Sequence, residues 1–280
     1  MSSLHEGEAN SETADPTDSP LFNQSLAKAF TVLEAFGIDR RSMSLPELAS
    51  ITGLTKSAVQ RLTYTLECLG YLRKDAHSKR YSLSPRTLTL GMRYITSSNL
   101  VERARPYLHD LNIKCSETVN LSEPHGTDMV FTVSFPGRIQ ISVQLPVGGC
   151  YPIYCTAAGR ALLSGLPKAR ADEIIERSTI LSYTPSTITD RAEIVRLIDE
   201  ARHAGFAYAL GEFFRGDINI AAPIFGTDGH AVASVGVSVP ITRWTFEDAR
   251  ARIAPQVAEV AQTISSLFSS RRPVAAGLTP

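Results

Sequence analysis

Residues 44–83 read SLPELASITGLTKSAVQRLTYTLECLGYLRKDAHSKRYSL, and this stretch decides the first half of the fold. Ser44 and Glu47, three places apart, form a capping box that opens a short helix with Leu45, Leu48 and Ala49 apolar. Thr52-Gly53-Leu54 predicts a sharp corner, because glycine enters the left-handed backbone region at no steric cost. A helix is expected to follow from Thr55–Lys56, burying Val59, Leu62, Leu66 and Leu69 and ending at Gly70. Its opposite face presents Lys56, Ser57, Gln60, Arg61, Thr63 and Tyr64. Two short strands then flank a polar turn at Asp75-Ala76-His77-Ser78, making a hairpin lined by Arg73, Lys74, Lys79 and Arg80. Upstream, Phe22, Leu26, Ala29, Phe30, Leu33 and Phe36 recur at helical spacing, giving one more helix that ends near Gly37. Three helices and a basic hairpin make a winged helix-turn-helix.

Such a unit can lay its third helix in the major groove of double-stranded DNA, amino-terminal residues at base edges. Gln60 has the shape for a bidentate pair with adenine, and Arg61 for guanine or a phosphate. Ser57 is small enough to allow close approach, and Lys56 with the positive end of the helix favours phosphate. The candidate contacts are therefore Thr55, Lys56, Ser57, Gln60, Arg61 and Tyr64 on the helix, with Lys74, Lys79 and Arg80 on the wing.

Charge supports this reading. The whole chain is neutral, with 28 basic and 28 acidic residues among 280, yet the charges are segregated. Residues 1–20 hold five acids and no Lys or Arg, so an acidic disordered tail is expected there. Residues 21–92 hold ten Lys/Arg against five Asp/Glu, a balance that favours a polyanion. The length predicts two domains. No apolar run approaches the ~20 residues that span a bilayer, and no signal peptide opens the chain. No membrane partner and a cytoplasmic location are expected. Cys68, Cys115, Cys150 and Cys155 form no CxxC unit, so neither a metal nor a disulfide framework is expected.

The organisation read from these features is a winged helix at 21–84, a linker helix at 85–99, a second domain at 100–270 and a flexible tail at 271–280. In the second domain Thr118–Ser122, Met129–Val133 and Ile139–Val143 have strand length and β-branched content. Helices follow at Thr156–Leu163, Lys168–Arg177 and Arg191–Ala204, then strands at Phe206–Leu210, Ile218–Phe225 and Ala231–Val239. A last helix runs from Thr245 to Phe268. This order predicts an α+β domain with an antiparallel sheet.

Catalytic signatures are missing: there is no GxSxG, HExxH, GxxxxGK[ST] or GxGxxG motif, and the six histidines are scattered. No catalytic residue and no cofactor is expected. A pocket fits better. Thr156-Ala157-Ala158-Gly159 opens a helix whose free N–H groups attract a carboxylate, and its small side chains let a ligand approach. Tyr151 and Tyr154 lie just upstream, and Asp217, Asn219 and Ser238 fall on neighbouring strands.

Leu45–Ala49, Thr52–Leu54, Lys56–Leu62, Leu66–Tyr71, Thr156–Leu163, Gly216 with Ile220–Pro223, Gly229 and Ser238–Pro240 together resemble the IclR family of bacterial transcriptional regulators. The resemblance covers nearly all of residues 21–270. It implies a GAF-like effector domain behind the winged helix, assembly as a homodimer or homotetramer on a palindromic operator, and a small carboxylate effector. That effector alters operator affinity or a contact with RNA polymerase. Carried over by position, its contacts would be Ala157, Ala158, Asp217, Asn219, Gly236 and Ser238. Asn219 stands where many members have cysteine, and Gly236 where many have serine. Ile153–Thr156 with Gly159-Arg160 resembles the branch that controls aromatic-acid catabolism, which implies an organic or aromatic acid. Two rival readings are a metabolite-processing enzyme with an appended winged-helix regulatory module, and a protein–protein adaptor.

Overall fold

The computed structural model describes residues 16–139 and 146–269, with two compact units that divide between Arg93 and Tyr94. In the first unit, α1 (Gln24–Glu34) starts at Asn23, whose side-chain oxygen accepts the N–H groups of Ser25 and Leu26. α2 (Leu45–Thr52) opens as its sequence predicts, with the N–H and hydroxyl of Ser44 both donating to Glu47 Oε2 at 2.7 and 2.6 Å. Gly53 takes φ 68° at the corner, and α3 (Lys56–Cys68) follows, capped by Thr55. β1 (Leu72–Lys74) and β2 (Tyr81–Leu83) pair antiparallel to form the wing.

Three expectations for this unit need correction. Thr63 is not on the exposed face of α3: it is fully buried, and its hydroxyl donates to Val59 O at 2.8 Å. A side-chain hydroxyl that satisfies itself on its own helix costs little to bury. The apolar stripe of the first helix is also inward only in part: Phe22, Leu26 and Phe30 are exposed, while Phe36 enters the core with Val32 and Ala35 and Leu33 packs against it. Leu69, expected in the core, is half exposed.

α4 (Arg86–Ser97) is amphipathic but buries no residue. In the second unit, α5 (Asn99–Cys115) leads into β3 (Thr118–His125) and β4 (Asp128–Phe135). Then come β5 (Cys150–Pro152), α6 (Ala157–Ser164), α7 (Lys168–Arg177), α8 (Arg191–Ala204), β6 (Ala207–Leu210), β7 (Asp217–Phe225) and β8 (Ala231–Pro240). The strand expected at 139–143 falls mainly on residues outside those described, and β5 is a strand the sequence reading did not single out. Where one last helix was expected there are two, α9 (Phe246–Arg252) and α10 (Ala254–Ser269). Pro255 lacks an N–H and so cannot continue the hydrogen-bond ladder through this point. Among the described residues no helix is long and apolar enough to cross a membrane.

The six strands form one antiparallel sheet in the order β5-β4-β3-β8-β7-β6. Alternation sorts their side chains. Val119, Leu121, Val235, Val237, Ile218 and Ile220 pack with α5 and α10 on one face. The other face meets α6, α7 and α8, and there two cross-strand rows stand side by side. One is Asn120, Gly236, Ala221 and Ala207; the other is Thr118, Ser238, Asn219 and Ala209. Polar and small residues thus replace the Val and Ile of the opposite face, and this position forms the floor of a site.

Candidate effector pocket and nucleic-acid interface

The first turns of α3 leave Lys56, Ser57, Gln60, Arg61 and Tyr64 exposed, Tyr64 at 67 %. At 3.6 residues per turn Ser57, Arg61, Tyr64 and Cys68 centre this stripe, with Gln60 at its edge. Thr55 acts as the N-cap, its Oγ1 accepting Ala58 N–H at 3.3 Å. On the wing, Lys79 is exposed and holds φ 56° in the turn, while the Lys74 ammonium lies 5.2 Å from the Tyr81 ring centre. Arg80 points elsewhere. It donates to Ser42 O at 2.8 Å and pairs with Glu47 at 3.0 Å, which helps hold that carboxylate down at about 2. The Ser44 hydrogen bonds are the larger cause of that depression. Arg80 therefore locks the wing to α2, and Arg73, Lys74 and Lys79 remain as the outward cations of the hairpin.

In the second unit α6 is buried along its whole length and approaches the sheet with its amino end. Thr156 Oγ1 accepts Gly159 N–H at 3.1 Å and donates to Pro152 O at 3.0 Å. The N–H groups of Ala157 and Ala158 lie in the first turn, where the helix itself supplies no carbonyl. Gly159 has no room for a side chain, since a Cβ there would sit 2.0 Å from Ile153 O. This glycine lets the helix start touch the strand end.

Beneath lies a cavity of about 20 Å³, lined by Thr156, Ala157, Ala158, Asp217, Asn219 and Gly236 among the expected residues. Two others stand outside the lining. Tyr154 is buried, and its hydroxyl donates to Leu181 O at 2.6 Å while accepting Leu181 N–H at 2.8 Å. Ser238 sits behind Asn219, donating to its Oδ1. The remaining wall includes Glu212, together with Asn120, Phe131, Cys155, Phe213 and Phe214, which the sequence reading did not assign to the pocket. Tyr151 joins Phe131, Phe213 and Phe214 in an aromatic cluster with ring centres 4.9–5.2 Å from its own. Alternation in Thr118-Val119-Asn120-Leu121-Ser122 was the available signal for Asn120; the loop aromatics carried none.

The electrostatics of the wall are muted. Glu212 is neutralised by Arg160, with two contacts of 2.6 Å between fully enclosed side chains. Burial raises the Asp217 carboxyl to about 7, opposed by a hydrogen bond from Asn219. Burial also pushes the Cys155 thiol up to about 12, so it is a protonated, inert group at neutral pH. A Cβ at Gly236 would come within 2.7 Å of Asn120 Oδ1, so the amide of Asn120 occupies the space above that glycine.

A winged helix and a sheet-floored pocket under a helix start, carried on one chain, define a DNA-binding sensor protein. The family model for the IclR helix-turn-helix domain matches residues 25–76, and the model for the bacterial transcriptional regulator IclR C-terminal domain matches residues 92–266. The chain belongs to the IclR family of bacterial transcriptional regulators. It is 32% identical over 240 residues to the Pca regulon regulatory protein of Pseudomonas putida, covering 85% of this chain and 82% of that one. It is 28% identical over 243 residues to the p-hydroxybenzoate hydroxylase transcriptional activator of Acinetobacter baylyi, covering 84% and 88%. A solved transcriptional regulator of Rhodococcus sp. RHA1 superposes with a TM-score of 0.75 at 33% identity, covering 89% of this chain and 99% of that one.

Proposed function

We propose that this regulator binds operator DNA through the exposed stripe of α3 and the wing cations, and that a small aromatic acid in the second unit controls it. The observation that carries the reading is the convergence at one cavity of the Ala157 and Ala158 N–H groups with the rings of Phe131, Phe213 and Phe214. The helix start suits a carboxylate and the rings suit a planar apolar body. The name of the Acinetobacter relative points the same way.

At about 20 Å³ the cavity has room for one water, so an aromatic ring enters only by displacing Phe213 and Phe214. Both lie between Gly211 and Gly216, which hold φ 63° and 81°. Movement of this segment is the response that ligand binding would transmit. The names of the relatives as regulators support binding rather than turnover as the role of this site. Self-association is the second element of the proposal. Leu26, Phe30, Leu69 and Leu90 border one open groove in the first unit, and Leu88, Leu90 and Met92 of α4 are exposed.

The test is a thermal-shift screen of aromatic and aliphatic acids, followed by gel shift on the protein's own upstream DNA with and without the hits. Stabilisation by aromatic acids together with a changed operator affinity supports the reading. Turnover of a hit would replace it with an enzyme, and a monomer by light scattering would remove the second-copy element.

A further inference from the structure

Among the described residues four buried side-chain atoms find no hydrogen-bond partner, and one of them, Asn120 Oδ1, belongs to the cavity wall. Asn120 is 2% exposed and stands at the centre of the sheet, opposite Gly236 on β8. Buried amide oxygens are nearly always paired, so an unpaired one calls for a donor from outside the chain. Its neighbours on the floor are already engaged. Ser238 donates to Asn219 Oδ1, and Asn219 Nδ2 donates to Asp217. Asn120 lines the cavity beside Gly236, and its unpaired oxygen lies in the space that a side chain at Gly236 would fill.

We propose that Asn120 is a specificity-determining residue of the effector site and that the effector is a hydroxy acid. Its carboxylate meets the amino end of α6, and its hydroxyl donates to Asn120 Oδ1. This rests on the effector-site reading above and narrows it from acids in general to acids with a donor at a fixed distance from the carboxylate. A site that holds a lone buried acceptor rejects an analogue that leaves it unpaired. The matching analogue without the hydroxyl binds at least about tenfold more weakly for that reason.

The experiment is isothermal titration of the full chain with benzoate, phenylacetate and cinnamate, each against its 3-hydroxy and 4-hydroxy derivatives. At least one hydroxylated member of a pair binds tenfold or more tightly than its parent. Asn120→Ala collapses that ratio to below about threefold, chiefly by weakening the hydroxy acid. Gly236→Ala is the second variant: its Cβ meets only the end of a short side chain, which can rotate away, and it gives the same collapse in a folded protein. Parent and hydroxy acids of equal affinity would overturn the inference and leave the effector site standing, as would a ratio unchanged in both variants. Failure of all nine acids to bind would overturn the effector-site reading and this inference with it.

Discussion

Arg160 and Glu212 meet across 52 residues of sequence in a two-pronged pair, Nη1 to Oε1 and Nη2 to Oε2, both at 2.6 Å, with neither side chain reaching solvent. The guanidinium also donates to Tyr154 O and Tyr208 O, each at 3.1 Å, so one side chain ties α6 to β6 and to the loop that carries Phe213 and Phe214. Removing one partner leaves an uncompensated buried charge, at about 3–5 kcal/mol. Arg160→Ala is expected to lose that much stability in urea unfolding, and Glu212→Gln, which leaves the buried guanidinium without its counter-charge, a similar amount. Equal midpoints for Arg160→Ala and wild type would show the pair to be dispensable.

Gly159→Ala tests the contact between helix and strand. The added Cβ would sit 2.0 Å from Ile153 O and 2.6 Å from Ile153 C, both backbone atoms that cannot rotate away. Overpacking against side chains costs about 1–3 kcal/mol, and here the backbone itself must shift. The expected result is a loss at or above the top of that range, read by circular dichroism melting, with operator affinity of any folded fraction unaffected. Alanine is ordinarily favoured over glycine within helices, so a stabilised variant would refute the geometry.

The Asp217 carboxyl gives a pH dependence with a definite sign. Its ordinary value of 3.8 rises to about 7 in the folded chain, by burial first. Between these values the native state keeps a proton that the unfolded chain has released. Stability is therefore fully present below pH 4 as far as this group is concerned, and falls by up to about 1.4 kcal/mol per unit as pH rises towards 7. Glu212 and Cys155 share the wall, and Glu212 pushes Asp217 the same way. Asp217→Asn should flatten this slope. Urea midpoints at pH 5 and pH 8, at one protein concentration, measure it; parallel slopes in variant and wild type would count against the shift.

Local signals read well where the physics is local. The bounds of α7 and α8 follow from periodicity, and α8 is closed by an Asp190 cap and by Gly205 at φ 77°. The capping box at Ser44 and the corner at Gly53 were equally legible. Thr63 was misplaced because its hydroxyl bonds within its own helix, so a polar letter concealed a core residue. Tyr154 was assigned to the pocket by proximity in sequence, yet its hydroxyl is consumed by Leu181, 27 residues away. The Arg160–Glu212 pair and the aromatic wall depend on long-range packing and left no mark in spacing or periodicity. Half of the pocket, the helix start and the Asp217–Asn219 edge, could be read; the half supplied by the β6–β7 loop could not.

The proposed DNA contacts yield the last prediction, because they differ in exposure and in partners within the chain. Gln60 and Arg61 are exposed near the start of α3, with side chains suited to base edges, and each bidentate contact is worth about 1–3 kcal/mol of discrimination. Gln60→Ala and Arg61→Ala should therefore weaken the specific operator far more than random DNA. Lys74 and Lys79 are outward wing cations, and substitution of either should weaken both kinds of DNA alike while lowering the salt slope by about 0.9. Arg80 differs, because its guanidinium is committed to Ser42 and Glu47. Arg80→Ala should loosen the wing, visible as a lower melting temperature, with the salt slope close to wild type. A slope that drops as much for Arg80→Ala as for Lys79→Ala would place Arg80 on phosphate in the complex and would mean that the Glu47 pair opens on binding.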